Sequence, residues 1–245
     1  MANKLKIVPL LLFLMFFLIP GGSASANLID LKVGQSGDLS SSVDVFIIIT
    51  MLSFLHALII SMTVYIKIVM VLSLTRQALG TMSSPPNIVI TGMSLILTLF
   101  IMMPVITIIN EEAYKPYKAS EITFIEGLEK ASVPLKEFMV NNADEDHIEM
   151  FAKMAKAEIT TKESVPFLVA SAANVTTQVT EALGLAAVLM IAFVVIDLVI
   201  GTILMLLGMF MLPPQMISLP VKIIVFLAAG GFEMIFEILI KGVII

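Results

Sequence analysis

The chain has 245 residues, of which 59% are hydrophobic and only 13% charged, with a net charge of −5 and no cysteine or tryptophan. Soluble domains average about 45–50% apolar and about 25% charged residues, so this balance excludes an ordinary soluble domain, a disordered chain and a disulfide scaffold. A single arginine, Arg76, in an acidic chain argues against a nucleic-acid partner. What remains is an integral membrane protein, all-α in class.

Residues 1–26 read as a cleavable signal peptide. Lys4 and Lys6 precede an apolar run over 7–19, which is shorter than the roughly 20 residues of a membrane span. Pro20, Gly21 and Gly22 break the run, and Ala24-Ser25-Ala26 is an A-x-A cleavage site; an uncleaved short anchor is the alternative. Residues 27–44, with Gly34, Gly37 and Ser40-Ser41-Ser42, read as a flexible periplasmic tail. A first membrane hairpin is expected over 45–110. It has a long span at 45–74, a polar tip carrying Arg76, Gly80, Pro85 and Pro86, and a second span at 88–109 interrupted by Pro104.

Residues 111–181 differ in kind. They hold 13 of the 19 acidic and 7 of the 14 basic residues, a local net charge of −6. Ile148, Phe151, Ala152 and Ala155 recur at helical spacing with charges between them, so the region reads as a small acidic helical domain facing water. A second membrane hairpin is expected over 182–245, with spans at 182–207 and 216–240 and a break at 208–214. Both tips carry Pro-Pro followed by an amide residue, Pro85-Pro86-Asn87 and Pro213-Pro214-Gln215. This points weakly to a parallel duplication, since proline also simply ends helices. A signal peptide would put both tips in the cytoplasm and the acidic domain outside, and Arg76 and Lys222 then fall on the cytoplasmic side.

Nothing in the residues points to catalysis, a cofactor or a metal. His56 and His147 form no H-x-x-x-H pair, and there is no G-x-S-x-G or P-loop. Asp144-Glu145-Asp146 fails as a calcium loop, because Ile148 occupies the next ligand position and no glycine follows; a solvated helix start accounts for these residues better. Asp197 lies among Val, Ile and Leu, where an ionised carboxylate facing lipid costs about 2.5–3.5 kcal/mol. It must face protein, water or a cation. An intersubunit contact is the favoured reading and an ion or proton relay the other. Lys67 either snorkels or pairs with Asp197. Glu233 and Glu237 stand one turn apart, and Glu237 and Lys241 have the favourable i,i+4 order.

The most unusual segment is Gly208-Met209-Phe210-Met211-Leu212-Pro213-Pro214. Glycine and the prolines frame large, soft side chains on backbone that cannot be helical. Methionine is unbranched and polarisable, so several copies around an axis would make a deformable hydrophobic constriction. Physical chemistry alone ranks a lipid-dipped tip or plain packing ahead of that reading.

The chain resembles the FliP/SctR family of type III export-gate proteins. The resemblance rests on residues 71–80 with Pro85-Pro86-Asn87, on 97–102 with Pro104-Val105, on Ile196-Asp197-Leu198-Val199-Ile200 leading into 207–214, and on 217–222. The chain departs from the family pattern at Ala172-Ala173-Asn174, at Gln178 in place of an acidic residue, at Gly230-Gly231-Phe232 and at Phe210. The resemblance implies a ring, a pentamer, assembled with FliQ and FliR beside FlhA and FlhB. The ring would sit in the bacterial inner membrane at the flagellar basal body and pass unfolded flagellar subunits. It also implies that Met209, Phe210 and Met211 form the gasket of the closed pore, which reverses the ranking above. Gly208, Pro213 and Pro214 would set the loop, and Asp197, Lys222 and Glu233 would serve intersubunit contacts. The expected function is a non-enzymatic pore subunit. The alternative is an ion-coupled small-solute transporter using Asp197 and Glu233; a membrane peptidase lacks a catalytic pair.

Overall fold

The structure is a computed structural model that describes residues 50, 59–81 and 83–244. The signal peptide, the tail and residues 45–49 and 51–58 of the first span lie outside the described residues. The chain divides into two units, 1–60 and 61–245. Of the first, only Thr50, Ile59 and Ile60 are described, all helical. The second unit is helical throughout, with no strand among the described residues.

Helix α1 (Tyr65–Ala78) follows a short non-helical stretch at Met62, Thr63 and Val64. Its buried residues Ile68, Val71, Leu72, Thr75 and Ala78 recur at three- and four-residue intervals, which puts them on one face. Helix α2 (Asn87–Ile101) packs beside α1. Pro104 has no N–H for the carbonyl four residues back and its ring collides there. The helix therefore stops and restarts as α3 (Met103–Ile109), and this pair is bent by 58°. A π-helical turn (Asn110–Tyr114) and the short α4 (Lys115–Lys118) complete the arm.

In the acidic region, α5 (Phe124–Asn142) opens on a reciprocal cap. The Glu126 N–H donates to Thr123 Oγ1 at 3.3 Å, and the Thr123 N–H donates to Glu126 Oε2 at 2.7 Å. Such a cap satisfies two of the amides that a helix start leaves without partners. The Thr123 N–H and hydroxyl both donate to the ionised carboxylate and hold Glu126 below its ordinary range. Asp144 caps α6 (Glu145–Ala155) through the Asp146 N–H, as a solvated acidic helix start should. Of the four residues expected to face inward, Ala152 is buried and Ile148 and Phe151 are half-buried, whereas Ala155 is exposed next to the left-handed Lys156 that ends the helix.

Helix α7 (Phe167–Leu206) is the central mast of this unit, and α1, α5, α6 and α8 pack along it. Its 40 residues make it about 60 Å long, twice the hydrocarbon core of a bilayer. It is long and apolar enough to cross a membrane. It also runs unbroken through the boundary expected at 181/182. The first part buries Ser171, Asn174, Thr177 and Gln178 against its neighbours, and the second exposes Val188, Ile191, Val195, Leu198 and Ile203. The sequence shows a change of surroundings there, and nothing in it ends a helix. Helix α8 (Gln215–Ala228) and α9 (Gly231–Lys241) form a second bent pair, at 59°. The Phe226 ring stacks edge-on with Phe232 at 5.0 Å inside the bend.

Candidate functional site

Two helix-to-helix turns and one ion pair gather the residues singled out in the sequence. The turn after α7 is built by its glycine. Gly208 has φ +74°, a left-handed conformation that costs an L-residue about 1–2 kcal/mol. It lets the Gly208 N–H reach the Met205 carbonyl (3.1 Å) and the Met209 N–H reach that of Leu204 (3.0 Å). This is the paired closure of a Schellman end. Met209, Phe210, Met211 and Leu212 follow on irregular backbone, held by one weak bond from the Leu212 N–H to the Met209 carbonyl (3.4 Å). All four side chains are exposed, Phe210 at 78% and Met211 at 98%. Pro213 and Pro214 lead into α8, whose first amides bond back to their carbonyls. The turn thus presents a cluster of apolar side chains, with Phe210 and Met211 the least covered by the described residues.

The turn after α1 has the same frame. Gly80, with φ +86°, donates to Gln77, and Thr81 donates to the Arg76 carbonyl. Pro85 and Pro86 then lead into α2. Here, however, a side chain braces the loop. Arg76 Nη1 donates to the Pro85 carbonyl at 3.1 Å and to Asn87 Oδ1 at 2.6 Å. The sequence-predicted residues Arg76, Gly80, Pro85 and Pro86 therefore meet at one turn, and Gly208 to Pro214 at the other.

Asp197 on α7 and Lys222 on α8 also meet. Lys222 Nζ donates to Asp197 Oδ2 at 2.6 Å, with the lysine side chain 8% and the carboxylate 32% exposed. Lys222 also lies 6.0 Å from the centre of the Phe193 ring. Ser218, buried on the same helix as Lys222, lies beside the Asp197 carboxylate. Glu233 is not brought to this pair: it is exposed in the first turn of α9.

The pairing of Lys67 with Asp197 is corrected. Lys67 Nζ bonds to Glu181 Oε2 at 2.6 Å and to the Gly242 carbonyl at 3.1 Å. Sixteen residues of α7, about 24 Å, separate Glu181 from Asp197, which puts the latter beyond a lysine's reach. Sequence reasoning also missed the amides around this site. Gln178 Oε1 accepts from the Lys67 N–H (3.2 Å), Gln178 Nε2 donates to the Thr63 carbonyl (2.8 Å), and Asn174 Nδ2 donates to that of Ser61 (3.2 Å). These amides satisfy backbone groups freed by the break before α1. The departures at Asn174 and Gln178 were the available signal, because amides inside a long apolar helix need partners.

An apolar helix longer than a bilayer is thick, two bent apolar pairs and an exposed apolar turn define an all-helical membrane protein. The chain belongs to the FliP family, whose model matches residues 48–239. It is 39% identical to the flagellar biosynthetic protein FliP of Pectobacterium carotovorum over 82% of this chain and 78% of that one. It is 38% identical to FliP of Aquifex aeolicus, over 87% and 90% of the two chains, and 37% identical to FliP of Bacillus subtilis, over 84% and 93%. Membership implies a membrane-associated role in flagellum biogenesis and the flagellar export apparatus.

Proposed function

We propose that the chain is a pore-forming, non-enzymatic subunit of the flagellar type III export gate in the inner membrane. Several copies, five by family resemblance, form a ring with FliQ and FliR, next to FlhA and FlhB, and unfolded flagellar subunits pass through it. The observation that carries this reading is the turn at 209–212. It offers Met209, Phe210, Met211 and Leu212 on a short loop between Gly208 and Pro213, all exposed and Met211 almost fully so. Copies of such a loop around an axis close a pore by excluding water, and flexible methionines yield to a passing chain. In this reading both turns lie at the cytoplasmic end and the acidic helices outside, the orientation that a signal peptide would give.

Asp197 and Lys222 brace α7 against α8 behind the loop. The transporter reading loses its main group, because Asp197 is taken up by Lys222 and Glu233 stands apart. The test is a mass measurement on the detergent-extracted complex with an ion-leak assay on Met209→Ala with Met211→Ala. The expected outcome is a ring containing two small partner proteins that stays assembled and leaks small ions. A monomer that moves a solute alone, or an assembled variant with an unchanged leak, contradicts the proposal.

A further inference from the structure

We infer that residues 242–244 form a strap that ties the far end of the α8–α9 arm to the acidic helices. Helix α9 leaves α8 through the 59° bend and makes its most extensive helix contact with α8. Ile235 and Leu239 bury one face of α9, and polar contacts beyond Leu239 add a second hold on its remote end. Asn142, the last residue of α5, grips Ile244 at two points: its Nδ2 donates to the Ile244 carbonyl at 2.7 Å, and its Oδ1 accepts from the Ile244 N–H at 2.8 Å. An amide side chain presents one donor and one acceptor in a plane, as a peptide group does. It thus reads the backbone of the strap as a neighbouring strand would, whatever the side chains. Asn142 is itself steadied by a bond from Nδ2 to the Phe138 carbonyl (2.9 Å).

The second fastening is ionic. Lys67 is 5% exposed, and its ammonium bonds to both Glu181 and the Gly242 carbonyl. The carboxylate keeps the buried charge satisfied, which fixes Lys67 where it meets the strap. Two separate helices, α1 and α5, thereby hold the strap at Gly242 and Ile244, and α7 steadies Lys67 through Glu181. The consequence is mechanical. Displacement of the acidic helices pulls on α9, and α9 is continuous through the bend with the helix that follows the apolar turn. Asn142 and Lys67 are positioning residues in this device, and the inference stands whether or not the turn seals a pore.

The test is hydrogen exchange on the full-length protein in its detergent-extracted complex. Asn142→Ala removes both bonds to Ile244. Asn142→Asp keeps the acceptor but turns the donor into a second acceptor facing two carbonyls, so it covers the case in which the alanine variant fails to fold. Exchange of the 232–244 amides should rise at least about tenfold in either variant, while 182–206 on α7 stays as in the wild type. Unchanged protection of 232–244, or an equal rise across 182–206, overturns the strap.

Discussion

The turns at 79–86 and 207–214 begin alike, with a left-handed glycine closing a helix, and each sets a Pro-Pro pair five residues beyond that glycine. Between these marks one chain segment reads Thr-Met-Ser-Ser and the other Met-Phe-Met-Leu. The polar turn is pinned by Arg76 to Pro85 and Asn87, whereas the apolar turn has only backbone bonds and leaves Met211 almost fully exposed. The frame sets where each turn sits and which way the next helix leaves. The four residues inside it, and the presence or absence of a brace, decide whether the turn is a rigid corner or a soft surface.

That comparison is broken most strongly by removing what braces the apolar turn from behind. Lys222→Ala leaves Asp197 without its partner. A fully buried pair broken this way loses about 3–5 kcal/mol, and because the carboxylate is a third exposed the expected loss is about 2 kcal/mol. Thermal unfolding of the purified complex measures it, and Lys222→Met combined with Asp197→Leu should recover most of the loss. Full stability of Lys222→Ala would mean that the pair braces nothing. A smaller effect is expected at the polar turn. Arg76→Ala removes two bonds at a partly exposed site and should cost about 1 kcal/mol. Hydrogen exchange should quicken over 79–87 and stay unchanged over 207–217. Equal changes at both turns would show that Arg76 supports the whole fold and has no special role at its own corner.

Much of this architecture was legible in the chain. Gly80, Gly208 and the two Pro-Pro pairs announce their turns, because few other residues adopt those conformations. Pro104 marks the bend between α2 and α3, and Asp144 marks a helix start. The course of α7 through residue 181 was not legible. Its surroundings change from polar to apolar there while every residue remains compatible with a helix. Nor were the partners of Lys67 and Asn142. Lys67 meets Gly242 across 175 positions, and Asn142 meets Ile244 across 102. Periodicity describes one element at a time, so it assigns Lys67 a face but no partner. The apolar turn is the opposite case: its residues stand out in sequence, and the fold adds that none of them is buried within its own unit.

The most direct test of the central proposal, that the apolar turn seals a pore, exchanges the contents of the two turns. Met209→Thr, Phe210→Met, Met211→Ser and Leu212→Ser together give the second turn the residues of the first without touching Gly208 or the prolines. Ion leak is then measured in membranes holding the assembled complex, beside the reverse exchange at 81–84. A leak raised at least about tenfold by the first exchange and unchanged by the second is the predicted result. An assembled complex that stays tight after residues 209–212 are made polar would contradict the proposal.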